Sequence, residues 1–222
     1  MENRRNSDAW YHRITRNHYQ DAQVASGYSR RQALRVSPPE WLVARFEVRA
    51  IRRSLSLLAP LSKNSVLDIP AGSGKLTQMM SKLFKRYVAG DISQAMLNLI
   101  PGDVEKVKMD ATALPYEDDM FEIVVNLRLC HRIPRDLVSQ CVREAIRVSQ
   151  VGAVISYAGF SQFPLLHRVI RSVARRNDNS YTQITGAEFN QLVATSGGSI
   201  LSDRSISYGV TTERIVTIRK VR

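Results

Sequence analysis

Residues 66–74 read Val-Leu-Asp-Ile-Pro-Ala-Gly-Ser-Gly. An apolar run closes on Asp68, and a loop of small residues carries Gly72 and Gly74. A helix-compatible stretch, Lys75-Leu-Thr-Gln-Met-Met-Ser-Lys-Leu-Phe84, follows. Strand, tight turn and helix in that order bring backbone N–H groups to the crevice at the carboxyl end of a sheet. Open α/β folds hold nucleotide-like ligands there. Two phosphate-binding loops are excluded by position. A Walker A loop needs Gly five residues before the Gly of Gly-Lys, and Ser or Thr after the Lys, but Ile69 and Leu76 stand there. A dinucleotide fingerprint needs a third Gly three residues past Gly74, and Thr77 occupies it.

Outward from this loop, strand-like and helix-like segments alternate. Strands are expected over Ser65–Ile69, Tyr87–Asp91, Val104–Met109, Phe121–Leu127 and Ala153–Tyr157. The fourth is almost continuously apolar, as a strand covered on both faces should be. Helices are expected over Ser73–Phe84, over Gln94–Leu99 capped by Ser93, and after Pro134. That last helix places Leu137, Val138, Cys141, Val142, Ala145 and Ile146 on its buried side. Such alternation points to a parallel, doubly wound sheet.

Beyond residue 160 the pattern changes. Leu165–Ala174 reads as helix and Arg175–Ser180 as a polar break. Thr185-Gly-Ala-Glu188 forms a capping box that opens a helix stopping at Gly197-Gly198. Ile200–Tyr208 and Thr211–Arg219 flank Gly209 as a closing antiparallel hairpin. At the other end, residues 1–36 are polar and carry Trp10, Tyr11, Tyr19 and Tyr28, a segment able to fold over a ligand. Ser37-Pro38-Pro39-Glu40 is a second capping box, with Ser37 as N-cap, for a helix running to about Leu58. Trp41, Ala44, Val48, Ile51, Leu55 and Leu58 line one face of it, and Arg45, Arg49, Arg52 and Arg53 lie largely away from that face.

The nine residues at 66–74 resemble the first motif of class I S-adenosylmethionine-dependent methyltransferases, Asp-x-Gly-x-Gly-x-Gly, with Pro70 where the first Gly usually stands. The segments downstream are similar to that family in order and spacing, and its small-molecule, type 11-like members match best. The resemblance implies a Rossmann-like, doubly wound seven-stranded sheet, mostly parallel, ending in an antiparallel hairpin, with helices at the N-terminus. It divides the chain into an N-terminal helical lid or cap, residues 1–60, and a cofactor-binding domain, residues 61–222.

The implied cofactor is S-adenosyl-L-methionine, with S-adenosyl-L-homocysteine as product. Asp68 would support the loop and the methionine amino group, and the backbone of Ala71, Gly72, Ser73 and Gly74 would lie beside the cofactor. Asp91 would accept both ribose hydroxyls, while Ile92 and Met96 pack on adenine. Asp110 would take the adenine amine, with the Ala111 N–H meeting a ring nitrogen. Asn126 would stand near the sulfonium. Pro70 has no N–H, so it cannot donate to the methionine carboxylate.

The implied reaction is methyl transfer by in-line displacement, in which the protein aligns the reactants and excludes water. His131, five residues past Asn126, is the candidate general base, and Arg128 and Arg132 beside it are candidates to hold an anionic acceptor. Tyr157, His167 and Tyr181 are weaker candidates, as are His12, Tyr19 and Tyr28 of the N-terminal segment. No metal site is expected.

Charge and composition bound the partners. The net charge is +12. Residues 1–60 contribute eleven Arg and five acids, residues 61–160 twelve basic and eleven acidic groups, and residues 161–222 nine and four. The cofactor core is thus near neutral, and its flanks carry a field that attracts anions. The expected acceptor is a small molecule, or one linked to lipid or glycan, methylated on oxygen or carbon and compatible with an anionic group. Nucleic acid and peripheral membrane contact stay open as partners, and RNA or protein methylation on the basic flanks is the alternative activity. A non-catalytic protein that binds the cofactor is the third reading. Two cysteines, no apolar run of eighteen residues and no secretory signal at the N-terminus indicate a cytoplasmic protein. Nothing in the sequence specifies an oligomer.

Overall fold

Seven strands share one sheet in the order β3-β2-β1-β4-β5-β7-β6. They are β1 (Ser65–Asp68), β2 (Arg86–Asp91), β3 (Glu105–Lys108), β4 (Phe121–Asn126), β5 (Ser149–Ala158), β6 (Gly198–Ser205) and β7 (Glu213–Lys220). The computed structural model describes residues 21, 23–27, 38–58, 63–160, 182–206 and 212–221. The expectations for Trp10, Tyr11, His12, Tyr19, Tyr28, Ser37, His167, Tyr181, Gly209 and the helix over Leu165–Ala174 lie outside the described residues, as do those for the side chains of Trp41 and Ala44.

The first five strands pair in parallel, and β7 runs antiparallel to both β5 and β6. This is the mostly parallel sheet with a closing hairpin that the alternation implies. Strand pairing puts Asp68 level with Ala89 on β2 and Val125 on β4, so the carboxyl ends of β1, β2 and β4 form one edge.

Among the described residues, five helices cover the sheet: α1 (Pro38–Leu58), α2 (Thr77–Leu83), α3 (Gln94–Leu97), α4 (Arg135–Arg147) and α5 (Gly186–Thr195). Alternate strand residues face opposite sides, and two apolar clusters follow from this. Leu67, Val88, Val124, Ile155 and Ile218 pack with Val138 and Val142 of α4 and Phe189 and Val193 of α5. Val66, Ala89, Val125, Val154 and Ile215 pack with Ile51, Leu55 and Leu58 of α1, Met80 of α2 and Leu97 of α3. A hydrogen bond from Thr217 Oγ1 to Ser54 Oγ, 2.8 Å, also ties α1 to β7.

The largest departure from the sequence reading falls on the glycine loop. The helix expected from Ser73 begins only at Thr77. Gly72 and Gly74 have φ of 56° and 85°, left-handed values that a right-handed helix cannot contain. Residues 71–76 instead form a turn, with Gly74 N donating to Ala71 O and Thr77 N to Gly74 O. The Ile69–Pro70 peptide is cis. Smaller differences are a shorter α3 and a longer β5. The capping box of Thr185 and Glu188 is formed as expected, and Ser93 caps α3 by accepting from Met96 N at 3.2 Å.

Candidate active site

A cleft partly open to solvent, about 870 Å³ with the open solvent at its mouth included, lies at the carboxyl ends of β1, β2 and β4. Its floor is the turn after β1. Gly72 leaves open space where a side chain would begin, whereas a Cβ at Gly74 would stand 2.9 Å from Thr77 Oγ1. Gly72 is therefore needed for the turn and for close approach to the cleft, and Gly74 for packing behind it.

Two carboxylates form the loop wall. Asp91, at the end of β2, accepts from Gly72 N with Oδ2 and from Ser93 N with Oδ1, both at 2.9 Å. It thereby pins the glycine turn while bordering the cleft. Asp68 is 2% exposed, and its Oδ2 accepts from Tyr87 Oη at 3.0 Å. Burial pushes Asp68 up to about 7, and the Asp91 charge adds to this against the Tyr87 hydrogen bond. Burial also raises Asp91, opposed by the N–H groups of Ser93 and Gly72. Among the described residues neither carboxylate is ion-paired to a Lys or Arg, so on this wall hydrogen bonds alone oppose the cost of burial.

The opposite wall is built differently. Glu47 of α1, 1% exposed, accepts from Arg128 Nε at 3.0 Å and Arg128 Nη2 at 2.7 Å and from Lys75 Nζ. Burial alone would raise Glu47, but Arg128 and Lys75 outweigh it and hold the carboxyl below its usual range. Arg128 has φ of 63°, and its backbone N–H donates to Ser156 Oγ at 2.7 Å. Ser156 Oγ in turn donates to Glu213 Oε1 at 3.1 Å, and burial raises Glu213.

Of the residues expected at the site, Asp68, Ala71, Gly72, Ser73, Asp91, Ile92, Met96, Arg128 and Arg132 all border the cleft. Gly74, Asp110, Ala111, Asn126 and His131 do not line it. Asp110 closes a local turn, its Oδ1 accepting from Thr112 N at 2.9 Å and Thr112 Oγ1 at 2.8 Å. Asn126 ends β4 at 1% exposure, and its Oδ1 has no hydrogen-bond partner among the described residues. An orphaned buried acceptor beside the cleft fits a ligand donor better than a packing role. His131 is 6% exposed, and its carbonyl accepts from Thr182 N at 3.1 Å. Glu47 and Lys75 are the charged cleft residues that sequence reasoning did not select. Glu47 shares the stripe Glu47-Ile51-Ser54-Leu58, at helical spacing, and all four are buried. An acid on such a stripe signals a buried partner.

The arrangement suits an adenosyl sulfonium ligand. Asp91 and the glycine turn are joined, burial of two carboxylates makes the loop wall favour a cation, and Ile92, Met96 and Leu127 supply apolar surface. Among the described residues no cluster of side chains could hold a metal ion.

Comparison with known proteins agrees. A family model described as a methyltransferase domain matches residues 67–157. The demethylmenaquinone methyltransferase of Clavibacter sepedonicus is 28% identical over 185 residues, which is 80% of this chain and 69% of that protein. The ubiquinone/menaquinone biosynthesis C-methyltransferase UbiE of Pseudomonas paraeruginosa is 30% identical over 124 residues, half of this chain and 47% of that protein. The chain thus spans about half the length of that second relative. The crystal structure of magnesium protoporphyrin IX methyltransferase from Synechocystis PCC 6803 with bound SAH shares the fold at a TM-score of 0.73 and 16% identity, covering 93% of this chain and 98% of that one.

Proposed function

We propose that this chain, a class I S-adenosylmethionine-dependent methyltransferase, methylates a hydroxylated aromatic small molecule, with or without a lipid tail. The observation that carries this reading is the pairing of two buried, cation-seeking carboxylates with an apolar cleft that also presents arginine. Bound S-adenosylmethionine supplies an activated methyl group on a sulfonium. The chain's own residues align and shield the reactants. Asp91 fixes the Gly72 turn, Asp68 and Asp91 favour positive charge on the loop wall, and Leu127 and Leu129 exclude water.

A ring hydroxyl that loses its proton becomes a nucleophile at oxygen, and its ring carbons become nucleophilic as well. His131 is the residue proposed to take that proton, and Arg132 at the cleft wall would hold the resulting anion. The relatives named for quinone biosynthesis favour carbon as the methylated atom, because one of them is named a C-methyltransferase.

The test is transfer of labelled methyl from S-adenosylmethionine to reduced, ring-unmethylated naphthoquinols and simple phenols, followed by organic extraction and mass spectrometry. Label in an extracted aromatic product is expected. His131→Ala should lose turnover and keep binding of S-adenosylhomocysteine by calorimetry. Label recovered in RNA or protein in place of the extract would replace this acceptor class, and cofactor binding without transfer to any acceptor would make the chain a binding protein.

A further inference from the structure

Helix α1 turns two unlike faces to its surroundings. Inward, Glu47, Ile51, Ser54, Leu55 and Leu58 are buried. Outward, Arg45, Phe46, Arg49, Arg52, Arg53 and Leu57 are exposed. At 3.6 residues per turn these six fall within roughly 140° of the helix circumference. Arg45 and Arg52 form one flank, Phe46 and Leu57 the other, and Arg49 and Arg53 lie between. The sheet edge extends the cationic surface. Arg219 of β7, exposed, donates to Leu57 O at 3.2 Å. Arg204 of β6, also exposed, pairs opposite Ile215, which packs with α1 on that face of the sheet.

The fold leaves this charge standing. Glu47 is the one acid in residues 45–58, and it is buried and bound to Lys75 and Arg128. Among the described residues no carboxylate pairs with Arg49, Arg52 or Arg53. Arg45, Arg49 and Arg53 follow one another at four-residue steps, a spacing at which like charges repel. On α4, across the sheet, Arg135 and Arg147 are instead each paired with carboxylates. An anionic partner would relieve the repulsion on α1 and not on α4. Guanidinium groups beside an aromatic and an aliphatic side chain suit a lipid interface: the cations meet anionic head groups and the apolar pair enters the acyl boundary. Nucleic acid would meet the same cations, but Leu57 at the angle of Phe46 gives bases no stacking surface.

We propose that the outer face of α1, with Arg204 and Arg219 beside it, docks this protein on an anionic lipid surface, α1 lying in the plane of the head groups. The cleft is then close to the bilayer. Glu47 lines it while its neighbour Phe46 faces outward, so the two are separated by about one helix width, roughly 10–12 Å. An acceptor with a lipid tail would be met at its own surface, but the docking does not depend on that acceptor.

Sedimentation with sucrose-loaded vesicles tests it, using phosphatidylcholine alone and phosphatidylcholine mixed in equal parts with phosphatidylglycerol. The protein should sediment with the mixed vesicles, stay in solution with the neutral ones, and be released by salt. The double variant Arg49→Gln/Arg53→Gln should weaken binding to the mixed vesicles about 30-fold, each arginine near the surface contributing about a factor of five. Arg135→Gln/Arg143→Gln removes two arginines from the opposite side of the sheet and should bind within about 2-fold of the parent. An unchanged urea midpoint certifies the fold of each variant. Equal binding to neutral and mixed vesicles, binding to neither, or equal losses in the two double variants would overturn the docking. Retention of RNA without sedimentation on vesicles would overturn it too, and would give the face to nucleic acid.

Discussion

The loop wall and the α1 wall of the cleft both bury carboxylates, yet they hold the charge in opposite ways. On the loop wall, Asp91 accepts two backbone N–H groups and Asp68 one phenol hydroxyl, and burial raises both. On the α1 wall, Glu47 is buried as deeply, but Arg128 and Lys75 lower it. A carboxylate served by dipoles retains a charge that a cationic ligand can relieve, whereas one served by cations is already neutralised. The first wall is therefore prepared for binding, and the second fixes α1 against the sheet.

The largest expected effect breaks this contrast at Asp68. Its folded value of about 7 stands above the ordinary 3.8, so the folded state holds a proton that the unfolded chain has released. Stability from this group is present below about pH 4, falls as pH rises, and is gone above about 7. The difference has an upper bound of about 4 kcal/mol. Asp68→Asn should remove this slope and leave the ligand-free protein more stable than the parent at pH 8, as read from urea unfolding at several pH values. Equal slopes in both proteins would show that Asp68 is ionised and compensated like Glu47. Next in size is Asp91→Ala, which removes the anchor of Gly72 along with a cleft carboxylate. Affinity for S-adenosylhomocysteine should fall about 100-fold, or ~2.7 kcal/mol, by calorimetry.

Glu47→Ala sharpens the other side. It leaves Lys75 and Arg128 facing each other without their shared carboxylate. Breaking a fully buried pair costs about 3–5 kcal/mol, but these cations are 32% and 25% exposed, so about 2 kcal/mol is expected from urea unfolding at pH 7. The sign with pH is opposite to that of Asp68. Glu47 is lowered from 4.5, so its contribution is present above that pH and disappears as acid protonates the carboxyl. A Glu47→Ala protein whose deficit persists unchanged in acid would show a packing loss in place of an ionic one.

The two walls also differ in how far they could be read from sequence. Asp68 and Asp91 each close a strand, and a strand followed by small residues and a helix cap is a local pattern. Their place at the sheet edge therefore followed from order along the chain. Local propensity misplaced the start of α2, because the residues from Ser73 onward suit a helix while the φ of Gly74 forbids one there. The α1 wall is non-local. Glu47 stands 28 residues from Lys75 and 81 from Arg128, and only packing of α1 on β5 and β7 brings them together. The apolar stripe identified the buried face of α1 through Ile51, Leu55 and Leu58, but an acid at the stripe's edge carries no mark of which cation it will meet. Asp110 is local again: its position after β3 was legible from order along the chain, and its Oδ1 accepts from Thr112 N and Oγ1 in the turn that follows.

The smallest expected effect tests whether the contrast belongs to the cleft alone. Helix α5 borders none of the cleft, and its start depends on a capping box in which Glu188 N donates to Thr185 Oγ1 at 3.2 Å and Thr185 N to Glu188 Oε2 at 2.8 Å. Thr185→Ala deletes the first of these bonds and leaves the second, at an exposed site where water can replace the lost acceptor. A cost of about 1 kcal/mol is expected, visible as a lower urea midpoint with an unchanged denaturant slope. Its carboxylate, Glu188, is also paired with Arg135 at the surface, where solvent screens the pair. Affinity for S-adenosylhomocysteine should not move, because no residue of α5 contributes to either wall. A shift in affinity as large as that of Asp91→Ala would mean that general loosening of the sheet, and not charge at the cleft, governs binding, and the contrast between the walls would lose its meaning.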